Sequence, residues 1–153
     1  MANIIYTNFM YQVAKNNIDM DTALFVAMLE EDASTYVPSK THTTVAGMSG
    51  FVEVSASGYA RENLGSNAIT INNTSHRVEF DTADIDFGAI GSGQEIKAIV
   101  IYVDGGNPGT ETDDIPVANI DTVSGSPSLP LLTNGGTVKF VIDSTGLFHI
   151  QQG

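Results

Sequence analysis

The chain has 153 residues, 42% of them hydrophobic, with no cysteine and a formal net charge of −12 from 6 Lys and Arg against 18 Asp and Glu. That is one domain's worth of chain with enough apolar content to bury its own core, so disorder is not the expected state. The missing cysteines exclude disulfides, thiolate nucleophiles and Cys-ligated metals, and the acidity argues against polyanion binding, which needs Lys and Arg to displace counterions.

The first predicted element is a helix over residues 3–16. Ile5, Phe9 and Val13 recur at helical spacing and Tyr6 with Met10 widens the stripe; Asn3 can cap its start and Asn16-Asn17 can stop it. The periodicity then becomes strand-like. Residues 22–29 (Thr-Ala-Leu-Phe-Val-Ala-Met-Leu) are apolar on both alternations, as in a central strand covered on both faces, and end at the acidic run Glu30-Glu31-Asp32. Residues 33–49, rich in Ser, Thr and Gly with Pro38, read as a long connection, and residues 51–55 as a short strand.

Further strands follow at sandwich-like spacing. Residues 68–71 lead into an Asn72-Asn73-Thr74 turn, residues 76–80 return, and 85–87 are brief. Residues 96–103 (Ile-Lys-Ala-Ile-Val-Ile-Tyr-Val) form the strongest strand. The stretch 104–109 is a loop by its turn chemistry. Residues 115–120 form another strand, which Pro116 puts at a sheet edge or gives an irregular start. Asn134-Gly135-Gly136 turns into a strand over 137–142, and a four-residue turn ending at Gly146 leads to a partner strand over 147–151, a hairpin signal. Together these elements predict a mainly β protein: an antiparallel β-sandwich, jelly-roll-like, with one short N-terminal helix, forming a single domain over residues 1–153.

The start of the chain lacks a basic segment followed by an apolar core, so no signal peptide is expected, and no stretch approaches about 18 consecutive apolar residues, so no membrane span is expected either. The basic residues Lys15, Lys40, Arg61, Arg77, Lys97 and Lys139 stand singly, without a patch for nucleic acid. His42, His76 and His149 are far apart in sequence and lack metal spacing. Gly47-Met48-Ser49-Gly50 has the wrong spacing for a nucleophile elbow, and Gly91-Ser92-Gly93 lacks the third glycine of a dinucleotide loop. No enzyme and no cofactor are expected. Asp81, Asp84 and Asp86 alternate along the chain, and oxygen ligands at such spacing can hold calcium, but they lack the EF-hand framework; the alternative is that they cap turns or face solvent. Asp19 and Asp21 pose the same choice.

In chain order, several segments resemble one family. After the N-terminal helix come residues 19–29 (Asp-Met-Asp-Thr-Ala-Leu-Phe-Val-Ala-Met-Leu), Thr41-His42 and 53–61 (Glu-Val-Ser-Ala-Ser-Gly-Tyr-Ala-Arg). Then follow 78–87 (Val-Glu-Phe-Asp-Thr-Ala-Asp-Ile-Asp-Phe), 98–104 (Ala-Ile-Val-Ile-Tyr-Val-Asp) and 135–148 (Gly-Gly-Thr-Val-Lys-Phe-Val-Ile-Asp-Ser-Thr-Gly-Leu-Phe). The chain is similar to the small structural proteins of tailed bacteriophages, described as head decoration, cement or generic virion proteins. The similarity lies in the order of the segments, none of which is a catalytic signature, and Gly91-Ser92-Gly93-Gln94 departs from the pattern as an insert before the strongest strand.

The resemblance implies a virion component made in the host bacterial cytoplasm. Charge places it on the outer surface of the capsid, because a −12 chain among packaged phosphates would have no cations to offset them. The expected partners are the major capsid protein and neighbouring copies of the chain, as a homo-oligomer or across the lattice, with no nucleic acid and no membrane. The expected contact residues are Tyr6, Phe9 and Met10 on the helix, Tyr36 and Pro38 in the long connection, and Asn107 and Pro108 in the later loop, since aromatic and Pro-containing segments outside the strand pattern suit partner contact; the plainer alternative for Tyr6, Phe9 and Met10 is that they seal the sandwich. Rival readings are a tail or fibre-base component, a carbohydrate-binding adhesion module (against which stands the lack of Trp), and a hydrolase.

Overall fold

A computed structural model describes residues 3–106, 110–124 and 128–151. The chain starts with a two-residue strand β1 (Ile4–Ile5) and only then enters helix α1 (Thr7–Ala14), which is shorter than the expected 3–16. Asn3 does not cap it. Instead Asn3 Nδ2 donates to Thr122 O at 2.9 Å and its Oδ1 accepts the amides of Asp121 and Thr122. This clamp leads Ile4 and Ile5 into register with Asn119 and Ala118, and Tyr6, with extended backbone and no side-chain cap, becomes the N-cap. The helix stops as expected near Asn16, whose φ of 59° breaks the helical conformation.

The main sheet runs β1–β8–β7–β2–β3, with β9 also on β7. Its centre is β2 (Phe25–Glu31) against β7 (Glu95–Val103), flanked by β3 (Glu62–Asn63), β8 (Ile115–Ile120) and β9 (Leu131–Leu132). All the pairings are antiparallel. From Phe25 to Glu30 every residue of β2 is buried, as the unbroken apolar run predicts for a strand with two covered faces. Phe25, Ala27 and Leu29 join Ile99, Ile101 and Val103 in the larger core, while Val26, Met28, Val100 and Tyr102 face a smaller cluster with Tyr36, Val45 and Met48. The cover on that second face is the long connection itself, which holds one 3-10 turn at Val45–Gly47.

Two smaller sheets wall the larger core. One pairs β6 (Ile85–Ala89) with β10 (Thr137–Phe140); the other is β4 (Ala68–Asn72), β5 (Arg77–Asp81) and β11 (Phe148–Gln151), with β5 in the middle. Phe80 anchors the second, its ring 4.8 Å from Phe25 and 4.9 Å from Phe148, which in turn meets Phe9 of α1 at 5.7 Å. Aromatic clusters of this kind add edge and stacking contacts to the burial of their area. The result is a mainly β, antiparallel arrangement consistent with a β-sandwich plus one short helix.

Three local expectations are corrected, the third only in part. Residues 51–55 form no strand and make only an isolated bridge, Glu30 to Glu53. The terminal strands do not pair with each other: β10 pairs β6 and β11 pairs β5. The turn at Gly146 is present, with its amide on Asp143 O and the next amide, that of Leu147, on Phe80 O, but it hands the chain from one small sheet to the other. Of the two alternatives for Pro116, the sheet edge does not hold, because β8 lies between β1 and β7, while the irregular start does: its missing amide coincides with the register shift opposite Ile101 and Tyr102.

Candidate functional site

Three of the expected contact residues are not surface groups: Tyr6, Phe9 and Tyr36 are 0%, 2% and 1% exposed. Phe9 lies on the inward stripe of α1, against Phe25 and Phe148. The two tyrosines rivet the helix start to the long connection, their hydroxyls 2.7 Å apart with His42 Nδ1 3.0 Å from the Tyr36 hydroxyl. Burial pushes both phenols above their ordinary pKa. Two further bonds fasten the same junction: Thr7 N to Lys40 O at 3.0 Å and Asn8 Nδ2 to Thr43 O at 2.8 Å. Around these rivets Met10 and Tyr11 of α1 and Val37 of the connection stay exposed, and Pro38 is half-buried. Asn107 and Pro108 lie outside the described residues. The flanks of their loop are tied down, with Gly105 N on Asp114 Oδ1 and the amides of Val45 and Ala46 on the carbonyls of Asp114 and Glu111.

Arg61 forms a second junction that its isolation in sequence did not announce. Its guanidinium binds both oxygens of Glu53, reaches Glu111, and donates to the Tyr102 hydroxyl at 3.1 Å while lying over that ring. Glu53 also accepts from the Tyr59 hydroxyl at 2.5 Å. A planar fork shared by two carboxylates suits arginine and not lysine. The cluster fastens three segments of chain together.

The three carboxylates weighed for calcium do not converge. Asp81 accepts its neighbour Thr82 N, Asp84 pairs with Lys139 at 3.0 Å and accepts Ile142 N, and Asp86 accepts Gly88 N. Among the described residues no group of three His, Cys, Asp or Glu side chains is placed to hold a metal ion. The turn-capping alternative describes these aspartates.

Two apolar features remain. A cleft of about 670 Å³ opens between the main sheet and the β10 segment, walled by Ile99, Ile120, Leu131, Phe140, Ile142 and Leu147. The other is on the three-stranded sheet, where Ile71, Val78 and Ile150 stand in one cross-strand row. They share a face with Phe80, which is buried, yet Ile71 is 75% and Ile150 63% exposed. The sheet therefore runs past the core it covers. Period-two alternation in residues 69–71 and 78–80 indicates which side chains share a face; that the face outruns its cover depends on tertiary structure and has no local signal.

Among the described residues no helix is long and apolar enough to cross a membrane. No family model, curated protein or solved structure matches the chain.

Proposed function

We propose that this chain is a structural protein of a tailed-phage particle, a decoration or cement protein that binds the outside of the major capsid protein shell and stabilises it. The observation that carries this reading is the junction where α1 is riveted to residues 36–43, both segments of which keep large apolar side chains exposed. It offers Met10, Tyr11 and Val37 to a partner on a backbone fixed by Tyr6, Tyr36, Lys40 and Thr43. Large apolar side chains held on a rigid frame cost little ordering entropy on docking. The ordered resemblance to virion structural proteins and the net charge of −12 support the outer face of a shell over its DNA-filled interior.

The mechanism is adhesion by buried area. A copy bridging capsid subunits needs roughly 1,000 Å² or more to persist alone, and contacts between adjacent copies add avidity. Because the chain then binds only the assembled shell, it stabilises that shell by linkage. The test is copy number in purified particles, together with shell melting with and without the protein. Hundreds of copies per particle and a raised melting temperature that falls with Met10→Asp or Val37→Asp are expected. A dozen copies or fewer would place the chain in the tail, and no particle association would end the proposal.

A further inference from the structure

We infer that the outer face of α1 docks a short acidic segment of a protein partner, whose carboxylates meet Lys15 and Lys40 and whose apolar side chains meet Met10 and Tyr11. This rests on the reading of the junction as a docking surface and gives the partner its chemistry. Charge is spread unevenly along the chain. Residues 1–18 and 33–52, the two segments riveted together, contain none of the 18 Asp and Glu and two of the six Lys and Arg. A molecule of net charge −12 thus has one junction whose own residues are cationic. Arg61, Arg77, Lys97 and Lys139 each pair with a carboxylate. Among the described residues Lys15 and Lys40 have no ion-pair partner, and both are exposed.

The two lysines sit at opposite ends of the helix. Lys15 is its C-cap, with Nζ 6.0 Å from the centre of the Tyr11 ring, and the carbonyl of Lys40 accepts the amide of Thr7 at 3.0 Å. Between them Thr7, Met10, Tyr11 and Ala14 are exposed at helical spacing, an outward stripe that Lys15 completes. From Thr7 to Lys15 the helix rises about 12 Å, so a partner that fits holds its carboxylates about that far apart with apolar groups between them. Interfaces place apolar anchors at the centre and charge at the rim in the same way. Nucleic acid does not fit, because duplex DNA carries a charge about every 1.7 Å of axis, far denser than two lysines can match. An anionic membrane calls for clusters of about four to eight basic residues. A second copy brings a net charge of −12 with whatever carboxylates it offers; a short segment brings only those that the lysines meet. Acidic residues also border the face, Asp19 past the helix end and Asp121 beside Asn3, and they repel a partner whose carboxylates fall outside the two lysines.

The probe is the peptide Glu-Glu-Leu-Phe-Leu-Glu-Glu, whose inner glutamates lie about 13 Å apart when extended. It is titrated to about 5 mM into the isotopically labelled whole chain and followed by amide shifts. Saturable shifts confined to residues 7–15 and 36–43 are expected, with dissociation on the order of a millimolar. Lys15→Gln and Lys40→Gln should each weaken binding about threefold, and Lys15→Arg should keep it. Gln151→Glu makes the same change in net charge on β11 and should leave binding as in the wild type. The peptide with lysine in place of glutamate should not bind these residues. No shift up to about 5 mM, equal binding of the lysine peptide, or Gln151→Glu as weak as Lys15→Gln overturns the inference. Tighter binding of phosphatidylglycerol vesicles or of single-stranded DNA to the same residues overturns it too. Particle association is a separate result. A chain found on particles but indifferent to the peptide keeps shell binding and loses the acidic partner; a chain that binds the peptide through both lysines but is absent from particles keeps the acidic partner and loses the shell.

Discussion

Lys97 reaches across from β7 to place its Nζ 3.3 Å from Oε1 of Glu30, a carboxylate with no exposed surface on the central strand β2. The same ammonium donates to the carbonyls of Ser34 and Tyr36, fastening the long connection to the sheet. Oε2 of Glu30 has no hydrogen-bond partner among the described residues. Breaking a buried pair strands a charge in low dielectric. Lys97→Met should therefore destabilise the fold by about 3 kcal/mol, the lower end of the range for such pairs, because the ammonium is partly solvated. Adding Glu30→Leu removes the stranded charge and should restore a large part of that loss. Urea midpoints of the three variants check this; a double variant no better than Lys97→Met would mean that the carboxylate is not the source of the loss.

The buried phenols give stability an alkaline limit. Burial holds the Tyr6 and Tyr59 hydroxyls protonated well above their ordinary range, with Tyr36 and Glu53 respectively reinforcing the shift. In the unfolded chain these groups ionise near pH 10. The folded pKa is the higher one, so their contribution is fully present below about pH 10 and is lost as pH rises above it. The slope is up to about 1.4 kcal/mol per pH unit for each phenol. Urea titrations from pH 8 to 11 should show the fall, and Tyr6→Phe should make it shallower. Stability that stays level through pH 11 would contradict the burial of these groups.

What the sequence disclosed and what it hid divide along a physical line. Period and composition identify strands wherever burial is two-sided and long: residues 25–31 and 95–103 are buried almost throughout, and the Asn72–His76 turn returns the chain as its residue types require. Elements of two residues carry no period, so β1, β3 and β9 were invisible. Partner choice was hidden too. The Asp143–Gly146 turn reverses the chain, but nothing local says that β11 passes β10 and joins β5. That Tyr6, Phe9 and Tyr36 point inward was hidden for a related reason. An aromatic near a helix start or in a loop reads the same whether it faces a partner or rivets two segments, and Tyr6 and Tyr36 were settled only by each other's hydroxyl at 2.7 Å.

Asp84 should matter at neutral pH and not in acid. Lys139 at 3.0 Å, and then the Ile142 amide, hold its carboxyl below the usual aspartate range. A depressed folded pKa means a contribution present above the unfolded value, about 3.9, and lost as pH falls through the folded one. Asp84→Asn keeps an acceptor for Ile142 but loses the ion pair. Its melting temperature should lie below that of the wild type at pH 7 and approach it at pH 3. An equal gap at both pH values would mean that the loss comes from packing and not from charge.

The handover between the two small sheets turns on Gly146. Its φ of 87° lies where L-residues are strained, and a Cβ there would sit 2.5 Å from Phe80 O, the carbonyl that accepts the Leu147 amide. Gly135 has the same φ, but a Cβ there meets nothing within 4 Å. Alanine at either position incurs the left-handed penalty of about 1–2 kcal/mol. Only Gly146→Ala must also push the turn off β5, breaking the Leu147 bond that starts β11. Gly135→Ala should therefore cost about 1 kcal/mol and Gly146→Ala roughly 3. Hydrogen exchange separates the mechanisms: with Gly146→Ala the amides of residues 147–151 should lose protection more than those of β6, whereas Gly135→Ala should leave residues 147–151 as in the wild type. Equal losses for the two variants would mean that backbone strain alone, and not the approach to Phe80, makes glycine necessary at the crossing.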